Sequence, residues 1–431
     1  MRTLRALAVA APAAALLLAA CGGDDTTGGG NGDGDVVELR YAFWGSDERA
    51  QMTQDMIDKF EAENPGIRVT VDYADFGAYF DKLATSVAAG DAPDIMTMGG
   101  AYHTEYAGRG ALLDLAEVDD VIRTDQISDD ILAHGTIDGS LYAIPTGVNG
   151  YAMVANPTVF AQAGVELPDD TSWTWDDFAQ MCTQIGTALG DAGYGAQDLT
   201  NHNTLALWAR QHGEALYTED GEVGVSTGTL AEWWEFSNQL RESGCTPPAT
   251  LSEELASQSA PEQTLIGTNN GGMSLVWSNV LEALSTASGE ELQLLIPPGV
   301  AGGEPGSWLG PSMYYTISAR TEHPEEAARL VDFMLNEPAA AESFLTDRGL
   351  PVNTDVREAI MDDLTPVQQA EAEYLNRLEE AVGDPVPPAP VGSTETASIV
   401  TRLNSEVLFD RTTPQEAAEQ MIAEVETAIS K

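Results

Sequence analysis

Lysine is almost absent from this chain, with only Lys59, Lys82 and Lys431 in 431 residues. Lysine and arginine together number 19 against 69 acidic residues, a formal net charge of −50. Such a surface repels phosphate backbones and anionic headgroups, which excludes nucleic acid and other polyanions as partners. The acidic excess reads as a solvated surface, and pairs such as Asp119–Asp120 and Glu253–Glu254 belong to it. Histidine is scarce too, and His103, His134, His202, His212 and His323 show no metal-ligand spacing. There is no HExxH, Walker A loop, G-x-S-x-G elbow or dinucleotide fingerprint. No catalytic residue, metal or cofactor is therefore assigned, and the chain is expected not to be an enzyme. A glycosidase needs only two carboxylates, but nothing singles out a pair. Beyond the first 20 residues, no apolar run is long enough to cross a bilayer.

What is present begins at the N-terminus. Arg2 and Arg5 precede an apolar stretch from Ala6 to Leu18 and the small residues Ala19 and Ala20. A short basic start, an apolar segment of about 13 residues and small residues at the cut describe an export signal over residues 1–20. Cys21 after Leu18-Ala19-Ala20 resembles the lipobox of bacterial lipoproteins, which implies a diacylglycerol on its thiol. The segment 21–35 continues as GGDDTTGGGNGDGD without a large apolar side chain, a flexible linker with a span of roughly 20 Å. The mature chain is expected outside the cytoplasmic membrane, held by lipid. In that compartment the remaining pair, Cys182 and Cys245, suggests a disulfide.

About 410 residues remain after the signal, enough for two or three domain-sized units. Val36–Trp44 is β-rich, and a helix is predicted from about Asp47 to Ala62, with Met52, Met56, Ile57 and Phe60 on one face. Asn64-Pro65-Gly66 ends it, and Ile67–Tyr73 alternates as a second strand. A helix over Phe76–Ala89 stops at Gly90, and Asp94–Met98 is a third strand. This βαβ order predicts a mostly parallel sheet covered by helices. Later, Gly150–Ala155, Met273–Trp277 and Leu292–Ile296 read as buried strands. Thr174 is a candidate helix N-cap, with Asp177 three residues on. The helices after Pro324 and Pro414 are amphipathic, and Asp384–Pro390 is an extended proline-rich connection.

Several blocks, in order, resemble the family 1 extracellular solute-binding proteins, the sugar receptors of ABC importers. They are Trp44–Asp47 through Phe60–Ile67, Ala89–Ile95, Gly110–Leu115, Ala143–Pro145 running into Gly150, Tyr151 and Asn156, Met273–Asn279, Gly306–Ile317 and Gly349–Asn353. The resemblance covers nearly the whole mature chain. It implies an α/β fold of two periplasmic-binding-protein-like lobes joined by three crossovers near Pro145–Asn149, Trp308–Ser312 and Gly349–Asn353. One lobe would comprise residues 36–147 and 312–350, the other 148–311 and 351–431. The lobes would close on ligand by hinge motion and dock, as a monomer, on the permease subunits.

A neutral polyol suits the residue chemistry independently. Sugar C–H faces pack on aromatic rings, and hydroxyls need planar polar partners. Trp44 ends the first strand, where open α/β sheets place ligands, with a place in the core as the alternative. Asp47 either binds hydroxyls or caps the helix. Trp277 with Asn279, and Trp308 with Gly310 and Ser312, pair stacking surfaces with polar groups beside the implied cleft. By resemblance, Asn149 stands where an acidic residue is common, and Tyr102 is the substitute for a first-lobe aromatic that Met98 and Gly99 replace. Asn201 and His202 precede the helix carrying Trp208 and are further candidates. Trp175, Trp208, Trp233 and Trp234 lie inside helices and read as core. Tyr314-Tyr315 is similar to the adjacent tyrosines of ferric-ion receptors, but strand neighbours point to opposite faces.

The reading is a lipid-anchored carbohydrate receptor for an oligosaccharide or glycoside. The same fold binding a polyamine or glycerol phosphate is the alternative. An extracellular glycan-processing enzyme and a surface adhesion or sensor protein are the other rivals.

Overall fold

Alternation along Val37–Trp44 buries Leu39, Tyr41 and Phe43 on one face, and this strand becomes an interior strand of a sheet. The computed structural model describes residues 36–429 apart from 257–259, 304–305, 383–385 and 387–388. The export signal, Cys21 and the glycine-rich linker thus lie outside the described residues, as does most of the proline-rich connection. Val37–Trp44 runs parallel to Ile67–Ala74 on one side and Ile95–Met98 on the other. Tyr314–Ile317 returns antiparallel beside Ile95–Met98, and Ile144–Pro145 completes five strands.

The helix Asp47–Glu63 covers this sheet through Met56, Ile57 and Phe60. Its N-cap is Ser46, whose hydroxyl accepts the Arg49 amide, so Asp47 is not the cap. Phe76–Ala89 ends at Gly90, which takes the left-handed conformation (φ 79°). Pro324–Asn336 buries Ala327, Leu330, Val331, Met334 and Leu335, the stripe its sequence period requires.

The second sheet is built around Gly147–Ala155, every residue of which is buried. Gly271–Trp277 and Gln293–Leu295 flank it antiparallel, and Tyr194–Ala196 joins parallel to Gly271–Trp277. The parallel arrangement expected from the βαβ order therefore holds for the start of the chain, while the second sheet is mainly antiparallel. Leu309–Pro311 and Leu350–Pro351 pair with the first residues of the same central strand.

The chain passes between the sheets at Thr146, at Ser312–Met313 and before Leu350. These passages lie side by side, because Val148 pairs with both Pro311 and Leu350. Beyond the third, Thr354–Ile360 packs on Pro338–Phe344, and the Asn353 amide donates to Asn336 at 2.7 Å, on the first sheet's side. Pro366–Glu379 packs under the second sheet.

The second core takes Trp175, Trp208, Trp233 and Trp234, all buried as their helical setting implied. Thr174 and Asp177 form a reciprocal capping box at the start of Trp175–Leu189. Cys182 on that helix is bonded to Cys245.

Candidate functional site

A cavity of about 490 Å³ opens between the two sheets, at the ends of their strands. Its size falls within the range of small-molecule sites. Trp277 closes the strand Gly271–Trp277, and Trp308 opens onto Leu309–Pro311. Their rings stand nearly perpendicular (86°) with centroids 6.0 Å apart. Tyr151 on the central strand supports both, 5.5 Å from Trp277 and 6.1 Å from Trp308. Gly310 makes the arrangement possible, since its backbone lies where the Trp277 ring needs room.

The first sheet supplies the other wall. Tyr102 follows Ile95–Met98 and stacks on Phe80 at 3.7 Å, with planes 10° apart. Phe76, 48% exposed, meets Trp44 edge-on at 5.3 Å and lines the cavity, while Trp44 backs it. A Cβ at Gly99 would lie 2.9 Å from the Trp44 ring, which accounts for glycine where the family resemblance expects an aromatic.

Of the residues singled out from the sequence, Tyr102, His202, Trp277, Trp308 and Gly310 line this one cavity. Asp47, Asn149, Asn201, Asn279 and Ser312 are not among the lining residues. Asp47 is exposed and accepts the Tyr73 hydroxyl at 3.0 Å. Asn149 is buried opposite Gly310 in the strand ladder. Asn201 caps the helix His202–Gln211, its Oδ1 accepting the amides of Asn203 and Thr204, and it also bonds the Tyr151 hydroxyl. Asn279 is exposed in the turn after Trp277. The Ser312 hydroxyl donates to the carbonyls of Gly147 and Arg348, tying the chain passages together.

The cavity also gathers groups that sequence reading did not select. His103 is buried against the Tyr314 ring at 4.1 Å, and its Nε2 lies 3.0 Å from the carbonyl oxygen of His134. Burial pushes the His103 and His134 imidazoles down to about 4, so both are neutral at pH 7. Arg210 lines the opposite wall and donates Nε to the Gly306 carbonyl at 2.8 Å. Tyr217 and Thr396 join hydroxyls at 2.6 Å along the rim. Tyr314 faces the cavity, whereas Tyr315 is buried against Arg348, as neighbours in a strand must be. Among the described residues no cluster of His, Cys, Asp and Glu could hold a metal, and no helix is long and apolar enough to cross a membrane.

Comparison with known proteins follows the same lines. Residues 55–372 match the family model described as bacterial extracellular solute-binding protein. A family 1 extracellular solute-binding protein of Alicyclobacillus acidocaldarius is 31% identical, with 92% of this chain and 99% of that one aligned at a TM-score of 0.76. The fold of a periplasmic oligogalacturonide-binding protein from Yersinia enterocolitica superposes with a TM-score of 0.78 at 21% identity, over 91% of this chain and 99% of that one. A lactose-binding protein of Rhizobium radiobacter is 22% identical over 71% of this chain and 72% of its own.

Proposed function

The chain belongs to the bacterial extracellular solute-binding proteins, and from that premise we propose that it is the lipid-anchored receptor of an ABC importer for an oligosaccharide or glycoside. The observation that carries the ligand class is the crossed pair Trp277 and Trp308 on one wall of a 490 Å³ cavity, with Tyr102 on the wall supplied by the other sheet. Rings set at right angles offer stacking faces to sugar units that follow one another at an angle. His202, Asn203, Arg210 and Thr396 supply hydrogen-bonding groups around them.

Binding requires no bond to be made or broken in the ligand. Sugar entering between the sheets brings the two walls together, with the three adjacent passages acting as the hinge. Ser312 and Asn149 serve that hinge, and Trp44 braces Phe76 and Gly99. The closed receptor then presents its ligand to the permease. Cys21, carrying the lipid, keeps it at the outer face of the cytoplasmic membrane, and the linker gives it reach.

The test is thermal shift and tryptophan fluorescence over a panel of lactose, other neutral oligosaccharides, the acidic disaccharide digalacturonate, polyamines and glycerol phosphate. A ligand at 100 times its Kd raises stability by about 2.7 kcal/mol. We expect a shift with an oligosaccharide, lost in folded Trp277→Ala and Trp308→Ala variants. A protein that shifts with no glycan yet cleaves one on prolonged incubation overturns the reading. For the anchor, Cys21→Ala should move the protein from the membrane fraction to the medium.

A further inference from the structure

Ser278 directly follows Trp277, and its buried side chain joins two parts of the fold. Its hydroxyl donates to Glu371 Oε1 at 2.9 Å and accepts the Gly150 amide at 3.2 Å. Glu371, 5% exposed, belongs to the helix Pro366–Glu379 beneath the second sheet. One turn on, the Tyr374 hydroxyl donates to the Tyr151 carbonyl at 2.9 Å. Gly150 pairs with Leu309, and Tyr151 pairs with Trp277. A single carboxyl is thus one hydrogen bond from the residue beside a cavity tryptophan. It is two from the strand on which all three inter-sheet passages converge.

Neither nearby arginine of this region is spent on Glu371. Arg377 binds Asp170 and the Leu294 carbonyl, and Arg357 binds Glu379 and the Pro351 carbonyl. Among the elements packed on the helix, Leu281–Ser288 brings Glu282, whose negative charge opposes ionisation. Gly147–Ala155 brings only Tyr151 as a titratable group, and Leu309–Pro311 and Gln293–Leu295 bring none. On the helix itself stand Glu373, Tyr374, Arg377 and Glu379. Burial, reinforced by Glu282, pushes the Glu371 carboxyl up to about 7, while the Ser278 bond works the other way.

We propose that Glu371 is a proton-linked positioning residue, holding Ser278 on Gly150 and thereby setting Trp277 on the cavity wall when it is ionised. This rests on Trp277 being a ligand platform. A charge-assisted bond is roughly twice as strong as a neutral one, so loss of the carboxylate charge loosens the hold on Ser278. Ligand affinity then falls as pH drops through neutrality.

The ligand-free protein tests this by tryptophan fluorescence between pH 5.5 and 8.5. The wild type should titrate once near neutrality, Glu371→Gln should be flat, and Trp277→Phe should lose most of the amplitude. Ser278→Ala, which keeps the carboxyl but cuts the relay, should also be flat and decides the matter should Glu371→Gln not fold. The same titration in Glu371→Gln or Ser278→Ala, or full amplitude in Trp277→Phe, overturns the proposal. For lactose or digalacturonate, whichever binds, affinity should fall about tenfold per pH unit of linkage below neutrality in the wild type and not in Glu371→Gln. Binding with a pH-independent affinity removes the relay and leaves the sugar reading standing. A Glu371-dependent titration without any sugar binding does the reverse.

Discussion

A Cβ placed on Gly310 would stand 2.7 Å from Cη2 of Trp277, closer than carbon atoms approach. The indole therefore lies close against the backbone of the strand that Trp308 immediately precedes. Gly310→Ala should displace the ring rather than the strand, because the Trp277 side chain is only partly buried. We expect at least a tenfold loss of sugar affinity by calorimetry with little change in the urea midpoint. Gly99→Ala, which meets the Trp44 ring at 2.9 Å, should weaken binding from the other wall. Unchanged affinity in both variants would show that neither the Trp277 ring nor the wall that Trp44 backs touches the ligand.

Much of this could be read before folding, and the limits have physical causes. Alternation at Leu39, Tyr41 and Phe43, and the helical stripe at Met56, Ile57 and Phe60, describe the first sheet's buried faces directly. Trp277 is legible as a stacking surface after an apolar strand and Tyr102 through the family resemblance, whereas Trp44, at a strand end where open sheets leave ligand space, backs Phe76 instead. Phe76, His134, Arg210 and Thr396 sit on helices or in loops, and only tertiary packing brings them to one cavity. Two polar candidates are held by the fold instead of facing the cavity. Asn201 has the composition of a hydroxyl-binding residue, but a helix N-terminus claims its oxygen. Ser312 is likewise occupied by carbonyls of the adjoining chain passages.

Arg348 is a buried cation whose guanidinium hydrogen bonds run to hydroxyls. Its guanidinium donates to Tyr41 at 2.8 Å, Tyr315 at 2.6 Å and Thr53 at 2.8 Å, and lies 3.8 Å over the Phe344 ring. It immediately precedes the third passage between the sheets. Lysine cannot reproduce this planar fork and would carry a more strongly hydrated charge into the same place. Arg348→Lys should cost about 3 kcal/mol in urea unfolding, within the range for disrupting a buried charged network. Arg329→Lys, on an exposed helix position, should stay within about 0.5 kcal/mol.

The bond between Cys182 and Cys245 joins the helix Trp175–Leu189 to the chain leaving Thr227–Glu242, closing a sequence separation of 63. Both residues are fully buried in the tryptophan-rich core. The paired Cys182→Ala/Cys245→Ala variant should lose about 2–4 kcal/mol of stability, chiefly through a less constrained unfolded chain. Sugar affinity at 25 °C should be retained, because neither residue lines the cavity. Mass spectrometry of the unreduced protein should show no free thiol at either position.

His103 sets the acid limit of the first wall. Its imidazole is held at about 4, chiefly by burial, against an ordinary value of 6.5. The folded state therefore binds fewer protons than the unfolded chain between those values, and stability rises with pH across that window. The contribution is complete above pH 6.5 and is lost as pH falls toward 4, about 3 kcal/mol for the full shift. Glu371 acts in the opposite sense, since its raised carboxyl favours the folded state at low pH and loses that effect as pH rises toward 7. Comparing single variants across pH separates the two. His103→Gln should flatten the stability curve between pH 6.5 and 4, narrowing its gap to the wild type as pH falls. Glu371→Gln should gain on the wild type from pH 4.5 to about 7. Parallel curves for His103→Gln and wild type, measured by urea unfolding at each pH, would mean that His103 is protonated without cost and that its wall is wetter than its burial requires.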